Sequence, residues 1–253
     1  MATYHQRLNQ TFHTSLYHQI MKKIFKRLLQ FIGVLLLLLL IGFGVLYAMY
    51  NTPLPTGQAG TEAEALKEKI YKAVNKAAWD QTRYIQWTFI GRHDYLWDRE
   101  RNLVEVKWGS TRVLLDPGKK SGAIYEGGTL QAPNEGTFNT AYRNFINDAF
   151  WLNAFVQMDD ATLQVIETDN QEEALLVTYP SGGVTPGDSY LWILGEDGLP
   201  KSWQMWVTII PIGGIPTTWE NWTTLPTGAK VAQNHVMGPM DVTITNLKSF
   251  QTL

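Results

Sequence analysis

Cysteine is absent from all 253 residues, and no Asp or Glu occurs before Glu62. The first absence excludes disulfide stapling, a thiol nucleophile and a lipid-modified cysteine after an export signal, so any folded part must hold itself by its core. The second leaves Arg7, Lys22, Lys23, Lys26 and Arg27 unopposed at the front of the chain. Other signatures are missing as well: no Gly-x-Ser-x-Gly elbow, no phosphate-binding glycine loop, and no pair of histidines at a metal-binding spacing.

What is present begins with Leu28 to Tyr50, LLQFIGVLLLLLLIGFGVLYAMY, in which Gln30 is the one strongly polar side chain. These 23 positions reach roughly 35 Å as a helix, enough for a hydrocarbon core of about 30 Å. Leu35 to Leu40 is apolar on every face, unlike a helix that packs on a soluble domain. The run predicts a transmembrane anchor. A cleaved signal peptide would carry a shorter apolar stretch ending in a small-x-small site, which Leu46 to Tyr50 does not offer. The basic flank places residues 1–27 in the cytoplasm and everything after the span outside it, at a bacterial inner membrane with the C-terminal domain in the periplasm or extracytoplasmic space. Met21-Lys22-Lys23-Ile24 resembles the start of an export signal and is an alternative initiator. His5, His13 and His18 read as a solvated tail.

Beyond residue 50 the chain carries 16 basic against 23 acidic residues, a net charge of −7. That balance disfavours nucleic acid, whose phosphates are bound by Lys and Arg clusters. Residues 51–60, NTPLPTGQAG, read as a linker. Residues 61–253 then suffice for one exported domain. Thr61 and Glu64 form a capping-box pattern, and Leu66, Ile70, Val74 and Ala77/Ala78 follow at helical spacing, predicting a helix of about 18 residues. Period-two strands follow around Ile85–Ile90, Leu103–Trp108, Thr111–Asp116 and Ala123–Glu126, joined by turns at Arg99–Asn102 and Pro117–Lys120. A second helix is expected from Thr137 to Phe150, ending in the aromatic run NDAFWLNAF. Seven more strands are expected: Leu163–Glu167, Ala174–Tyr179, Ser189–Gly195, Ser202–Ile210, Thr217–Thr224, Lys230–Met237 and Val242–Phe250. The connections are too short for parallel crossovers, so the strands predict an antiparallel meander.

All ten Trp lie after residue 60. Several strands carry large apolar groups on both faces, which demands a cover on each face or an apolar ligand. Two other chemistries draw on the same region. Asp94, Asp98 and Glu100 near His93, or Glu220 between Trp219 and Trp222, could serve a glycan hydrolase through paired carboxylates. Exposed Trp could instead stack sugars without catalysis. Against these stand a polar hairpin turn for the first cluster and a water-facing strand residue for Glu220. If every Trp is packed, the domain is a structural or partner-binding module.

The order of parts, an amphipathic helix, long antiparallel strands, a helical insert carrying Asn144-Phe145-Ile146-Asn147-Asp148-Ala149-Phe150-Trp151-Leu152, then more strands, resembles the LolA/LolB-like periplasmic lipoprotein carriers and receptors. The resemblance covers about Glu62 to Phe250 and rests on no diagnostic motif. It implies an α+β fold: a curved antiparallel sheet, an incomplete β-barrel of about eleven strands, with two covering helices, preceded by the transmembrane helix. It further implies a lipid or lipoprotein acyl chain bound in the concave face, and no enzyme activity or cofactor. The residues expected to line that face are Trp87, Phe89, Trp108, Trp151, Trp192, Trp203 and Met205. The membrane is the one partner implied; no particular protein partner is. The chain departs from the soluble carriers by its anchor and from the lipid-anchored receptors by having no cysteine. The anchor reading predicts that purified membranes retain the chain through an alkaline wash with residues 28–50 intact; a protein beginning after Tyr50 overturns it.

Overall fold

The computed structural model describes the backbone of residues 2–168, 170, 172–181 and 185–252, with side chains from residue 21 onward except Asn153. It divides into two units, residues 1–51 and 52–253. In the first, helix α1 runs from Ala2 to Tyr50. Its Met21–Tyr50 portion is exposed throughout and is long and apolar enough to cross a membrane. The helix therefore starts well before the apolar run, since no Gly or Pro interrupts residues 2–27. The side chains of His5, His13 and His18 lie outside the described residues.

The second unit has an α+β fold. Helices α2 (Thr61–Val74) and α3 (Lys76–Gln81) come first. They replace the single helix expected over residues 61–78, because Asn75 takes a left-handed conformation, ends α2 and caps α3 by accepting from Ala78 N. The expected Thr61 cap is also absent: Gly60 is the N-cap, and Glu64 pairs with Lys67. Strands β1 (Tyr84–Phe89), β2 (His93–Asp98), β3 (Leu103–Trp108), β4 (Thr111–Asp116), β5 (Ser121–Glu126) and β6 (Thr129–Leu130) follow as a meander. Helix α4 (Glu135–Asn153) and a 3-10 turn (Ala154–Val156) come next. After them run β7 (Thr162–Glu167), β8 (Glu173–Thr178), β9 (Ser189–Leu194), β10 (Pro200–Trp206), β11 (Ile215–Thr218), β12 (Glu220–Thr224), β13 (Lys230–Met237) and β14 (Met240–Phe250).

Among the described residues the count is thus fourteen strands rather than about eleven. β2 and the short β6 were missed, and the expected 217–224 strand divides at Trp219. The cluster of His93, Asp94 and Asp98 accordingly lies on a strand, not in a turn. Nine strands form one sheet in the order β12-β13-β14-β1-β2-β3-β4-β5-β6, and five form the other in the order β11-β10-β9-β8-β7; neither closes into a barrel. Every pairing is antiparallel. The run from Ile215 to Thr224 joins the two sheets: β11 pairs with β10, β12 pairs with β13, and Trp219 N donates to Lys201 O at 2.8 Å between them.

Alternation along the strands sends Trp87, Tyr95, Val106, Val113, Leu175, Trp192 and Trp203 into one main core, against the apolar faces of α2 and α4. The five-stranded sheet is greasy on its other face as well, where Ala174, Leu176 and Leu191 are buried beside Trp206. Residues 52–58 run there. Gln58 and Val165 exchange backbone hydrogen bonds at 3.0 and 2.8 Å, and Gly57 N donates to Gln164 Oε1 at 2.9 Å. The predicted linker is therefore bound to the sheet over much of its length, and it supplies the second cover that the pattern demands.

Gly57 makes this possible, because a Cβ there would sit 2.1 Å from Val165 O. Replacing it with Ala forces the strap away, at a cost of roughly 1–3 kcal/mol. Gly57→Ala should lower Tm by several degrees in thermal unfolding. Gly118→Ala, whose new methyl group meets only Asp116 Oδ1 at 3.4 Å, should leave it near the parent value.

Candidate functional site

A cleft of about 790 Å³ opens beside α4. Its position follows from the stripe on that helix. Phe138, Ala141, Phe145, Ala149 and Leu152 face the core at spacings of three and four, while Tyr142, Ile146 and Phe150 turn partly outward and form one wall. Asn134 starts the helix, accepting from Thr137 N at 2.9 Å. Trp79 and Asp80 of α3, with Trp97 and Arg99, make the opposite side. Tyr179, Asp188 and Tyr190 close one end, and Asp159 and Asp160 stand at the rim. Seven aromatic rings line the cleft, together with ten polar or charged residues.

The titratable groups around it are largely committed. Arg99 lies over Trp79, 4.6 Å from the ring centroid, and Trp97, at 5.4 Å, and its Nη1 donates to the carbonyls of Trp79 and Thr82. It thereby closes the C-terminus of α3, and burial lowers its pKa. Asp188 accepts from Thr208 N at 2.9 Å and from Thr185 Oγ1 at 2.5 Å. Burial, reinforced by Asp188, pushes the Tyr190 phenol well above its usual range. Asp159 accepts from Tyr71 Oη at 2.9 Å.

One polar device holds α4 itself. Asp148 is 2% exposed, yet it accepts from Tyr95 Oη at 2.6 Å and from Asn147 Nδ2 at 3.0 Å, and lies 2.7 Å from His93 Nδ1. A buried carboxylate needs such partners. Burial and the adjacent Asp148 charge raise the Tyr95 pKa far above that of a free phenol, so this hydroxyl remains a donor. His93 and Tyr95 both stand on β2, and the network clamps the helix to that strand.

The seven residues expected to line a ligand face fall in three places. Trp87, Phe89, Trp192, Trp203 and Met205 are buried in the main core. Trp151 is half-buried, with its ring 5.2 Å from Trp203 and 5.5 Å from His235. Trp108 borders a separate shallow depression with Ile124, Gln131 and Thr137. None of the seven borders the large cleft. Two of them stand one layer behind its wall: Phe145 contacts Trp87 at 6.4 Å, and Phe150 contacts Trp203 at 5.9 Å. The aromatic exit of α4 signalled this wall in the sequence; Trp79, Tyr179 and Tyr190 gave no local sign.

The candidate hydrolytic groups are dispersed. Thr88 Oγ1 donates to Asp94 at 2.5 Å, Asp98 and Glu100 pair with Arg83, and Glu220 is exposed on β12. Trp219 is buried edge-on against Trp192 and Trp203 at 5.1 and 5.0 Å, so it presents no face for a sugar. Among the described residues no group of three or more His, Cys, Asp or Glu is placed to hold a metal ion. No protein-family profile matches the chain. No curated protein matches it either. Among solved structures it is similar to a DUF1329 family protein from Desulfovibrio piger, at 10% identity and a TM-score of 0.41, over 77% of this chain and 95% of that one. No functional property passes from that structure to this chain.

His235, 0% exposed, sits at the junction of the sheets with its ring 4.2 Å from that of Trp219. Burial pushes its pKa down to about 4 from the ordinary 6.5. Between those values the unfolded chain binds a proton that the folded chain refuses, so stability is full above about pH 6.5 and declines as pH falls toward 4, by up to roughly 3 kcal/mol. Thermal unfolding across pH 7 to 4 should show this decline, and His235→Gln should make it shallower.

Proposed function

We propose that this chain is a membrane-anchored extracytoplasmic binding protein whose cleft holds a hydrophobic ligand such as a lipid or a lipoprotein acyl chain. The observation that carries the reading is the open cleft of about 790 Å³ with its aromatic wall. That size falls within the range of small-molecule sites, roughly 300–1,000 Å³, and the side chains of Tyr142, Phe145, Ile146 and Phe150 give it an apolar wall. Such surface faces water only at a cost, which an acyl chain would relieve. The α1 span supplies the anchor, and the basic residues before it support a cytoplasmic N-terminus. The order of parts, helices, meander, α4, then meander, supports the LolA/LolB-like layout and with it a carrier or receptor role. Binding rather than catalysis is favoured because three of the four carboxylates lining the cleft are already engaged, Asp188 by Thr185 and Thr208, Asp159 by Tyr71, and Asp80 by Lys76, which leaves Asp160 without a second carboxylate to work with.

Delipidated full-length protein in detergent, titrated with a fluorescent acyl-chain probe, should bind saturably, and a lysophospholipid should displace the probe. Ile146→Glu places a charge in the wall without touching the Asp148 clamp. It should weaken binding at least about tenfold, or 1.4 kcal/mol, with the circular dichroism spectrum unchanged. Wild-type protein that binds no probe overturns the reading and leaves a packed structural or partner-binding module.

A further inference from the structure

The connection between β10 and β11, Val207-Thr208-Ile209-Ile210-Pro211-Ile212-Gly213-Gly214, contains no charged residue. Ile209 at its tip is 76% exposed, more than any other large apolar residue described in either unit. Exposed loops are ordinarily built from polar residues, Gly and Pro, and this one carries three Ile and a Val. Its shape is fixed at both ends. Ile210 N donates to Val207 O at 3.0 Å, Thr208 N donates to Asp188 Oδ1 at 2.9 Å, and Gly214 N donates to Met205 O at 2.9 Å.

The loop is also locked to the start of the strap. Thr52 N donates to Gly213 O at 3.0 Å, and Trp206 Nε1 donates to Thr52 O at 2.7 Å. Two adjacent glycines make room for this. A Cβ on Gly213 would lie 2.3 Å from Trp206 Cδ1, and one on Gly214, whose φ is +76°, would lie 2.5 Å from Thr52 Cβ. The contact is therefore built into the backbone, and Thr52 moves with the loop as one body.

Thr52 follows Tyr50 by only two residues, about 7 Å of fully extended chain. If the span begins after the basic cluster ending at Arg27, roughly 20 residues carry it across, and Tyr47 and Tyr50 fall at the headgroup level where aromatic residues concentrate. Whatever the tilt of the folded unit, covalent connection then keeps Thr52, and the loop bonded to it, near the bilayer. Resting on the anchor reading, we propose that the 207–214 loop is a second membrane contact, inserting Ile209 into the interfacial region of the bilayer beside the exit of the span. Leu54, exposed two residues along the strap, adds apolar surface at the same end of the strap. An uncharged Ile-Ile-Pro-Ile tip gains by burial among acyl chains and exposes no side-chain charge to them.

Because the chain has no Cys, a single substitution carries a unique label. Full-length Ile209→Cys bearing an environment-sensitive fluorophore is reconstituted in phosphatidylethanolamine/phosphatidylglycerol vesicles, some containing spin-labelled lipids that quench by contact. Leu130→Cys, an exposed apolar site on edge strand β6, serves as the reference. The expected result is lipid quenching at 209 at least about threefold stronger than at 130, with weaker quenching by aqueous iodide. Equal lipid quenching at the two sites overturns the proposal, and so does a label at 209 shielded from both quenchers, which would signify a protein contact. An alkaline wash of the same vesicles separates the premise: chain released by the wash overturns the anchor as well, whereas retained chain without quenching overturns the loop contact alone.

Discussion

The two sheets of this domain meet at one junction of rings. Trp192 and Trp203 face each other across β9 and β10 at 4.8 Å, Trp219 meets both where the chain passes from β11 in one sheet to β12 in the other, and Phe155 closes on Trp192 and Trp219 at 6.4 and 5.4 Å. The chain leaving α4 thus ends in the angle between the two sheets. That plug, the core-facing stripe from Phe138 to Leu152 and the Asp148 clamp together fix the direction of α4. Each ring brings a large apolar area with only two side-chain torsions to freeze, so the junction is stiff as well as greasy.

Much of this was legible in the residues, and what was not has identifiable causes. Period-two alternation located Leu103–Trp108, Thr111–Asp116 and Lys230–Met237 without error and most other strands to within a few residues, because one face of each is buried. It missed β2, where His93, Asp94 and Asp98 look like turn chemistry; the partner of His93 is Asp148, 55 residues further on, which no local pattern shows. It ran Thr217–Thr224 together, because a strand that changes sheets keeps its alternation while changing neighbours. The apparent linker failed differently. Pro and Gly there signal an irregular backbone, which is correct, but irregular backbone can still be bound, and Gly57 is small for the sake of Val165 O rather than for flexibility.

The seven residues expected at a ligand face show the same limit. Large aromatic residues in excess of ordinary need suggested a pocket wall, yet strand alternation cannot say whether a ring meets a ligand or another ring. Here the strands deliver Trp87, Trp192 and Trp203 to positions where helix side chains already stand, and the helix side chains, Phe145, Ile146 and Phe150, are the ones left facing the opening. Seeing that requires knowing which turn of α4 lies over which strand. The buried Asp148 fixes that register, and a lone Asp in an apolar helical run was the available hint.

This arrangement gives the surplus tryptophan a use consistent with a binding role even though most of it never reaches the cleft. A cavity beside a soft wall tends to collapse, because neighbouring side chains move in to recover lost contacts; how far they can move governs how much empty space survives. Behind this cleft the supporting layer is made of interlocked rings, and among the described residues the buried indole N–H groups of Trp87, Trp192, Trp203 and Trp219 meet no hydrogen-bond acceptor. Each such group costs stability, which a chain selected only for a firm core could avoid with Leu or Phe. Rigid planes that cannot repack into the opening are what that cost secures.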